Sequence, residues 1–481
     1  MHARIALSLA LGVLAANAGA AETVRWQSVS ADDLKVGQAL ITRSESPEGI
    51  VESDRVVIQL GKSSRRVTYR MNLDTESAPD GALRRMAREV ETREGHSRIE
   101  ARAVGADLEV SHGIGRTKST KTLAGAARGL KSMEAAREWL AAVGRGEQRP
   151  PFTFRSWDPV KMSVVEVELT MWTRGVDMNV ARRVRSARDT TASLFKVDAH
   201  GVVVHETMRL ASYELEFFDT SEAEARKRNE VFDHVTPLLQ KSPYRIPARD
   251  MQQKIRYRFD NHGKNVTLPS GAGQRTWTDD QATWMQVCAN CPMDSVELSA
   301  EERAQALQPS LWLESADPRL VKLAHPMTAN LRDPDATMRR LTTFVRGHMG
   351  TQIDMLGYGT ALEALRTRRG DCTEFAVLLA ALGRAAGVPT RIAIGRVYAR
   401  HFEGARHVFV PHAWVQAWTG KGWESFDAAI GTFDSTHLAF AVSYDGNPVT
   451  HFEGITLSRE MTLAGAARVV PRKEAAAEPA N

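Results

Sequence analysis

The stretch RGDCTEFAVLLAAL at residues 369–382 decides how the rest of the chain is interpreted. Its large apolar residues recur at the i, i+3, i+4 and i+7 spacing of one helix face. These residues are Phe375, Leu378, Leu379 and Leu382. Asp371 precedes this pattern, and Glu374 lies three residues after Asp371, which is the spacing of a capping box. Gly387, followed by a valine and a proline, predicts the end of the helix. Cys372 therefore falls in the first turn, where unpaired N–H groups and the helix dipole favour the thiolate.

A base and a carboxylate follow this helix in the sequence. Residues 408–418 are rich in β-branched and aromatic residues and predict a strand that carries His412. A glycine-containing turn leads into a second short strand, 423–427, which ends at Asp427. Counted outward from the turn, His412 and Asp427 are not opposite each other, so the sequence leaves their contact open. We expect Cys372 to be the nucleophile, His412 the general acid and base, and Asp427 the group that orients the imidazole.

These motifs together resemble the transglutaminase-like core, which belongs to the papain-like cysteine-enzyme fold. The resemblance rests on Gly370-Asp371-Cys372 opening a helix, on His412-Ala413-Trp414, and on Phe426-Asp427 followed shortly by Gly431. It covers about a fifth of the chain, from Asp333 to Gly431. The resemblance implies helices packed on an antiparallel sheet and a Cys–His–Asp triad that forms a thioester. Many relatives have a proline shortly after the aspartate, which this chain lacks.

Other polar residues near these motifs receive lesser roles. Gln352 and Tyr358 precede the cysteine helix, and we predict that they help to form an oxyanion pocket with the backbone N–H of Cys372. His348 lies on the apolar face of a predicted helix and is interpreted as a core histidine. His401 and His407 are interpreted as loop histidines, with metal binding as the alternative.

Two of the cysteines lie close together in the sequence, and the third is isolated from them. The chain has three cysteines, and Cys288 and Cys291 are separated by two residues. In an oxidising compartment this pair most simply forms a local disulfide. A redox-active pair is the alternative, but no thioredoxin-like βαβ pattern surrounds it, and zinc would need two more ligands at matched spacing. We predict no metal and no cofactor, since no dinucleotide-binding or phosphate-binding glycine loop and no HExxH motif occur.

The first twenty residues predict a signal peptide. Arg4 supplies a basic start, residues 5–16 form an apolar run, and Ala18-Gly19-Ala20 matches an A-x-A cleavage site. The apolar run is too short for a membrane-spanning helix. We therefore expect a periplasmic or secreted protein with no stable membrane span.

Length and composition indicate a globular protein of several domains. The chain has 481 residues, of which 43% are hydrophobic and 25% charged, and its formal charge is only +5. The densest basic cluster, residues 182–188, has no interleaved aromatic residues, so we predict a solvated loop and no nucleic-acid partner.

The pattern of elements predicts an α+β protein. After the signal peptide at 1–20, alternating strands predict an antiparallel β-rich domain at 21–220, whose apolar side we expect a helix at 133–143 to cover. A binding cradle for an apolar or peptidic ligand is the alternative for this domain. A charged bridging helix and a small β unit with the cysteine pair follow at 221–297. The transglutaminase-like domain is expected at 298–460 and a disordered tail at 461–481.

Two classes of function fit these features. The first is an exported cysteine enzyme, a peptidase, amidase or transamidase, that cleaves or transfers an acyl group of peptide or protein substrates, with cell-envelope peptides as natural candidates. The second is a catalytically silent scaffold that binds an envelope partner or an apolar ligand through the β domain. The presence of Cys372, His412 and Asp427 together favours the enzyme. The sequence does not distinguish water from an amine as acyl acceptor, and it gives no oligomeric state or calcium dependence.

A thiol count tests the cysteine assignment. If Cys288 and Cys291 are disulfide-bonded, titration of the unfolded, unreduced protein is expected to find one free thiol per chain, that of Cys372. Because the closed loop is very short, replacing both cysteines of the pair with serine is expected to cost only about 1–2 kcal/mol and to leave a folded protein. Three free thiols would contradict the assignment.

Overall fold

Fourteen antiparallel strands of the N-terminal half form a single sheet. The computed structural model describes residues 21–61, 66–91, 96–114, 117–174, 177–185, 190–210, 213–260, 266–279, 282–289, 291, 297–351 and 359–469. The predicted signal peptide lies outside these residues. The chain starts in the middle of the sheet, runs out strand by strand to one edge, restarts at the opposite edge and returns to pair its last strand with its first.

The bounds of these strands follow the alternation expected for a sheet. They are β1 (Ala21–Ala31), β2 (Leu34–Ser46), β3 (Gly49–Leu60), β4 (Val67–Ser77), β5 (Leu83–Glu91), β6 (His96–Val104), β7 (Asp107–Ile114), β8 (Thr117–Leu123), β9 (Phe152–Asp158), β10 (Ser163–Arg174), β11 (Asp177–Arg185), β12 (Thr190–Val197), β13 (Val203–Leu210) and β14 (Tyr213–Thr220).

A helix covers the apolar side of this sheet, as the sequence predicts. A 3₁₀ turn at Met133–Ala136 leads into α1 (Arg137–Gly144). Trp139, Leu140 and Val143 of α1 pack with apolar residues from strands β9 to β12. The dry side of this part of the sheet is therefore filled by the chain's own helix.

The charged segment after the sheet is mostly not helical, and the predicted bridging helix is wrong beyond its first turn. Only α2 (Glu222–Ala225) forms, capped by Ser221. The chain then follows the large sheet, where the backbone N–H of Glu230 donates to the carbonyl of Lys35 and Phe232 is buried. These tertiary contacts outweigh the helix propensity of the charged residues.

The remaining strands form a five-stranded sheet, a four-stranded sheet and a short parallel pair. The strands are β15 (Gln240–Lys241), β16 (Ile255–Asp260), β17 (Gln274–Thr278), β18 (Thr283–Val287), β19 (Gly350–Thr351), β20 (Arg369–Gly370), β21 (Thr390–Phe402), β22 (Ala405–Trp418), β23 (Trp423–Phe426), β24 (Leu438–Ser443) and β25 (Thr462–Arg468). The five-stranded sheet has the order β15-β22-β21-β24, with β23 also paired to β22, and the four-stranded sheet has the order β17-β18-β16-β25. The pair is β19 with β20.

Helices pack on the five-stranded sheet. A 3₁₀ turn at Thr236–Leu238 precedes it, and the helices are α3 (Ala248–Met251), α4 (Ala300–Leu307), α5 (Pro318–Thr328), α6 (Pro334–His348), α7 (Ala361–Thr367), α8 (Cys372–Ala385) and α9 (Pro448–Glu460). The predicted α+β class, with an antiparallel β-rich N-terminal part and helices on an antiparallel sheet, is confirmed. Among the described residues, no helix has the length and apolar character needed to cross a bilayer.

The disulfide and the small sheet lie against the five-stranded sheet. Cys288 and Cys291 are joined directly after β18, with a Cα–Cα distance of 5.5 Å. Tyr257 and Phe259 of β16 share an apolar core with Phe409 of β22. The predicted small β unit therefore has no separate core and supports the larger sheet.

The predicted disordered tail is wrong for its first part. Residues Thr462–Arg468 form β25, which pairs with β16, and Leu463 is buried in the shared core. The sequence of this strand is mostly small residues, so its alternation is weak. It forms because β16 offers an unpaired edge and an apolar surface next to it.

Two C-terminal truncations test the contribution of β25. Deleting residues 462–481 is expected to destabilise the protein by several kcal/mol, since it exposes the edge of β16 and removes Leu463 from the core. Deleting residues 470–481, which follow the strand, is the matched control and is expected to leave the urea midpoint unchanged. Equal midpoints for the two truncated proteins would contradict a stabilising role for β25.

Candidate active site

The cysteine helix begins as the sequence predicts. Asp371 Oδ1 accepts a hydrogen bond from the backbone N–H of Thr373 at 2.8 Å, and Glu374 Oε2 accepts one from the backbone N–H of Asp371 at 2.9 Å. This capping box places Cys372 at the first position of α8. Its N–H is one of the four at a helix start that have no partner within the helix.

Gly370 is needed for this turn because the chain packs tightly on Glu374. A Cβ atom at Gly370 would lie 2.3 Å from the Cβ of Glu374, closer than two carbon atoms can approach. The buried Glu374 carboxylate also accepts a hydrogen bond from the backbone N–H of Gly359 at 2.7 Å. The glycine and the glutamate of the motif therefore form a compact support for Cys372.

His412 and Gly395 face each other on adjacent strands, β22 and β21. A Cβ atom at Gly395 would lie 1.8 Å from the carbonyl oxygen of Leu438, at the start of β24. The glycine thus lets β24 approach closely, beside a bulge in the pairing of β21 with β24. The His412 side chain is buried at this point, with 5% of the residue exposed.

Asp427 reaches His412 across a diagonal of the sheet. Strand β23 pairs with β22 up to Phe426, which is opposite Val415. The next position would face Trp414, and His412 lies two residues farther along the same face, a separation that a side chain can span. Asp427 Oδ2 lies 2.6 Å from His412 Nε2. The contact that the sequence left open is therefore present.

Backbone groups and a second histidine complete the surroundings of Asp427. Its Oδ1 accepts hydrogen bonds from the N–H groups of Ala429 at 2.8 Å and Ile430 at 3.0 Å. His437 Nε2 lies 3.0 Å from the same Oδ2 that meets His412. Burial alone would raise the pKa of the Asp427 carboxyl, but the charges and hydrogen bonds of His412 and His437 hold its pKa below the usual range. Asp427 is therefore a buried carboxylate.

His437 is a residue that the sequence analysis missed. It follows the polar run Asp434-Ser435-Thr436 and directly precedes the buried strand β24. The only signal that could have found it is this polar run in front of an apolar strand, near the aspartate of the motif.

The thiol of Cys372 does not have the predicted low pKa. Burial raises the pKa of this thiol well above its ordinary value, and the Asp371 carboxylate makes the next largest contribution. Glu374 and Asp427 raise it by smaller amounts. A hydrogen bond from the backbone N–H of Ala413 acts in the opposite direction but does not reverse the shift. The helix start was expected to favour a thiolate, but burial of the sulfur, together with the nearby Asp371 carboxylate, outweighs that effect. The hydrogen bond from the N–H of Ala413 also places the sulfur of Cys372 beside the residue that follows His412.

The other predicted residues are placed as follows. His348 is partly buried, stacks on Phe344 and pairs through Nε2 with the carbonyl of Leu365 at 2.8 Å, as expected for a core histidine. His401 and His407 lie in the β21–β22 hairpin rather than in a long loop, and the Nδ1 atom of His407 pairs with a tyrosine hydroxyl at 2.7 Å. The oxyanion candidates Gln352 and Tyr358 lie outside the described residues.

Three side chains of the site have the spacing of a metal centre. One donor atom each of His412, Asp427 and His437 lies within 4.8 Å of the others. However, Asp427 Oδ2 is within hydrogen-bond distance of both imidazoles, so these atoms already pair with one another. We therefore describe these contacts as hydrogen bonds.

Comparison with known proteins identifies the region that contains this site. Residues 321–428 match the model of the transglutaminase-like superfamily. An uncharacterized protein of Mycobacterium leprae is 31% identical over 108 residues, which cover 22% of this chain and 38% of that protein. The match thus spans well under half of that relative's length.

Two solved structures are similar over part of the chain. One is the periplasmic domain of TgpA from Pseudomonas aeruginosa, with a TM-score of 0.28, 17% identity and coverage of 40% of this chain and 86% of that domain. The other is a candidate cysteine protease from Cytophaga hutchinsonii, with a TM-score of 0.26, 17% identity and coverage of 40% of this chain and 78% of that protein. The family match, and not these superpositions, defines the transglutaminase-like region.

The pH dependence of alkylation tests the state of the thiol. Because burial and Asp371 raise the pKa of Cys372, its reaction with iodoacetamide is expected to accelerate steadily from about pH 6 to about pH 9. Asp371→Asn removes one carboxylate but keeps a capping oxygen, so this variant is expected to react faster at neutral pH. The rate is measured by mass spectrometry of the Cys372 peptide. A rate in the native protein that does not change over this pH range would indicate a preformed thiolate instead.

Proposed function

Because residues 321–428 form a transglutaminase-like core, we propose that the protein is a cysteine enzyme that cleaves or transfers an amide or related acyl group of a peptide or protein. In this proposal Cys372 is the nucleophile, His412 the general acid and base, and Asp427 the orienting carboxylate. The observation that carries the proposal is the 2.6 Å contact between His412 Nε2 and Asp427 Oδ2, buried beside the start of the cysteine helix.

The pairing with Asp427 assigns a role to each imidazole nitrogen. A carboxylate only accepts hydrogen bonds, so Nε2 of His412 carries a proton and donates a hydrogen bond to Asp427. The other nitrogen, Nδ1, is then free of its proton in the neutral ring and can accept one from the thiol. Since the pKa of the Cys372 thiol is raised, we propose that this transfer accompanies the attack of sulfur on the carbonyl rather than preceding it.

The start of α8 supports stabilisation of the oxyanion. The backbone N–H of Cys372, at the first position of α8, has no partner within the helix, and we propose that it binds the substrate carbonyl oxygen. Such a donor stabilises the negative charge that develops on the carbonyl oxygen. His412, now an imidazolium, returns the proton to the leaving amine, which leaves a thioester on Cys372. Water or a second amine then attacks the thioester, with His412 again as base.

The place of action is proposed from the disulfide and the signal sequence. Disulfides persist outside the reducing cytoplasm, and Cys288 and Cys291 are bonded. Together with the signal pattern at 1–20, this supports action in the periplasm or after secretion, on peptides or proteins of the cell envelope.

A cavity at the large sheet supports the second candidate function, binding by a silent scaffold. It has a volume of about 310 Å³ and lies between β7 and β8 on one side and the segments around α5 and α7 on the other. Burial raises the pKa values of Glu314 and Glu363 in its wall to about 7 and lowers that of His112 to about 4. Cys372 and His412 do not line this cavity, so a scaffold function would survive their replacement, whereas an enzyme would not.

A series of substitutions at the triad tests the enzyme proposal. The probe is 4-nitrophenyl acetate, whose acyl group is detected on Cys372 by mass and whose turnover is followed by nitrophenol release. Asp427→Ala is expected to lower turnover by about 10²–10⁴-fold, since it removes the group that orients the base. Asp427→Asn is expected to retain more activity because the amide oxygen still accepts the imidazole N–H, and Cys372→Ser is expected to retain least.

A matched control and a second assay sharpen this test. His407→Gln replaces a histidine that pairs with Tyr398, away from Asp427, and should keep wild-type turnover. Hydrolysis of a fluorogenic peptide amide, compared with incorporation of a fluorescent primary amine into a protein acceptor, distinguishes water from an amine. Wild-type turnover in Asp427→Ala, or acylation that persists in Cys372→Ser, would refute the triad.

A further inference from the structure

We propose that His437 is a positioning residue, a buried imidazolium that holds the Asp427 carboxylate against His412 and is itself held by Asp434. The site would then be a chain of four groups, His412–Asp427–His437–Asp434, rather than a triad alone. This inference rests on the proposed function only for its effect on turnover. Its structural part, the protonated ring between two carboxylates, is independent of that function.

Both ring nitrogens of His437 face carboxylates, which only accept hydrogen bonds. Nε2 lies 3.0 Å from Asp427 Oδ2, and Nδ1 lies 3.2 Å from Asp434 Oδ1 and 3.1 Å from the Asp434 carbonyl oxygen. The backbone N–H of Asp434, a donor that also faces Nδ1, lies farther away, at 3.3 Å. A neutral imidazole has one nitrogen with a lone pair, which would be repelled by a carboxylate oxygen at these distances. Because acceptors are the nearest groups to both nitrogens, the geometry favours the charged form, with a proton on each nitrogen.

The surroundings of His437 favour this charge and keep water away. The side chain is completely buried, and the rings of Phe433 and Trp414 lie 4.9 Å and 5.2 Å from it. The titratable groups that face the ring are Asp427 and Asp434, with His412 packed edge-on at 5.6 Å and Tyr257 bonded to the adjacent Ser435. Burial alone would lower the pKa of His437, but the two carboxylates raise it to about 9.

The loop that carries His437 is anchored from the small sheet. The hydroxyl of Tyr257 on β16 donates to the carbonyl of Ser435 at 2.8 Å, and the backbone N–H of Ala289, beside the disulfide, donates to the Ser435 hydroxyl at 3.0 Å. Thr436 donates its hydroxyl to Asp434 Oδ1 at 2.6 Å. The position of the ring is therefore set by parts of the chain that have no contact with the thiol.

The charge of His437 explains how Asp427 can serve as an orienting group. A carboxylate buried beside a single neutral imidazole would be costly, because it has left water without a compensating charge. His437 supplies that charge, so Asp427 stays ionised and can accept the hydrogen bond of His412.

Histidine-selective ¹⁵N labelling tests the charged ring directly in the full-length protein. One imidazole is expected to keep both N–H protons through neutral pH and to lose one only near pH 9, and its signals should disappear in His437→Gln. In Asp434→Asn the same ring should titrate at lower pH because one carboxylate is gone. A His437 ring that titrates near the ordinary value of 6.5, or is neutral at pH 7, would overturn the inference even if the enzyme proposal holds.

Unfolding at different pH values gives a second measurement. The pKa of His437 is raised in the folded protein, so its stabilising contribution is complete below the unfolded value of 6.5 and is lost as pH rises through about 9. The difference in urea midpoint between the wild type and His437→Gln is therefore expected to be largest at about pH 6 and to shrink towards about pH 9. A difference that does not change with pH would contradict the charged ring.

Turnover of 4-nitrophenyl acetate tests the positioning role. His437→Leu removes the hydrogen bond and the charge and is expected to lower kcat by about 10- to 100-fold, as is typical of groups one step away from a reacting ligand. His437→Gln can still donate to Asp427 and should recover part of kcat, with KM little changed in both variants.

The control is His348→Gln, which replaces a partly buried histidine that pairs with the backbone carbonyl of Leu365 and lies outside the Asp427 cluster. It should keep wild-type kcat and KM. Equal kcat in the wild type and His437→Leu would overturn the positioning role, as would a loss of kcat in His437→Gln as large as that in His437→Leu. An absence of Cys372-dependent turnover in the wild type would refute the proposed function, while the labelling result would still decide the state of His437.

Discussion

The close approach of β24 to β21 at Gly395 is the constraint on which the site depends. A side chain at this position would meet the backbone carbonyl of Leu438 at 1.8 Å, so only glycine allows the two strands to pair here. Gly395 is opposite His412 on one side and next to the start of β24, which His437 directly precedes, on the other. His412 and His437 therefore both reach the Asp427 carboxylate because β21, the strand between them, has no side chain at position 395.

Support for this arrangement comes from elements that are distant in the sequence. The small sheet shares its apolar core with the five-stranded sheet, and its outer strand β25 is supplied by the chain near residue 465. Tyr257 and Ala289, which directly follows Cys288 of the disulfide, then hold Ser435 in place by two hydrogen bonds. The segments around the transglutaminase-like region thus do more than connect domains, since they fix the loop that completes the polar chain.

The parts of the structure that the sequence predicted are those with local causes. The start of α8 depends on Asp371 and Glu374, which are three residues apart, and its end on Gly387, whose φ of 82° suits glycine. In contrast, β25 and the loop of His437 depend on partners more than a hundred residues away in the sequence, so no local pattern predicts them. The His412–Asp427 contact lies between these cases, because the hairpin was evident but the diagonal reach of the side chain was not.

The prediction of a thiolate at Cys372 was wrong for a related reason. A helix start acts on Cys372 with a partial charge, whereas burial takes the sulfur out of water and the neighbouring Asp371 carboxylate further disfavours a negative charge there. Asp371 and Glu374 build the helix start itself, so the motif that positions the sulfur also contributes to its raised pKa.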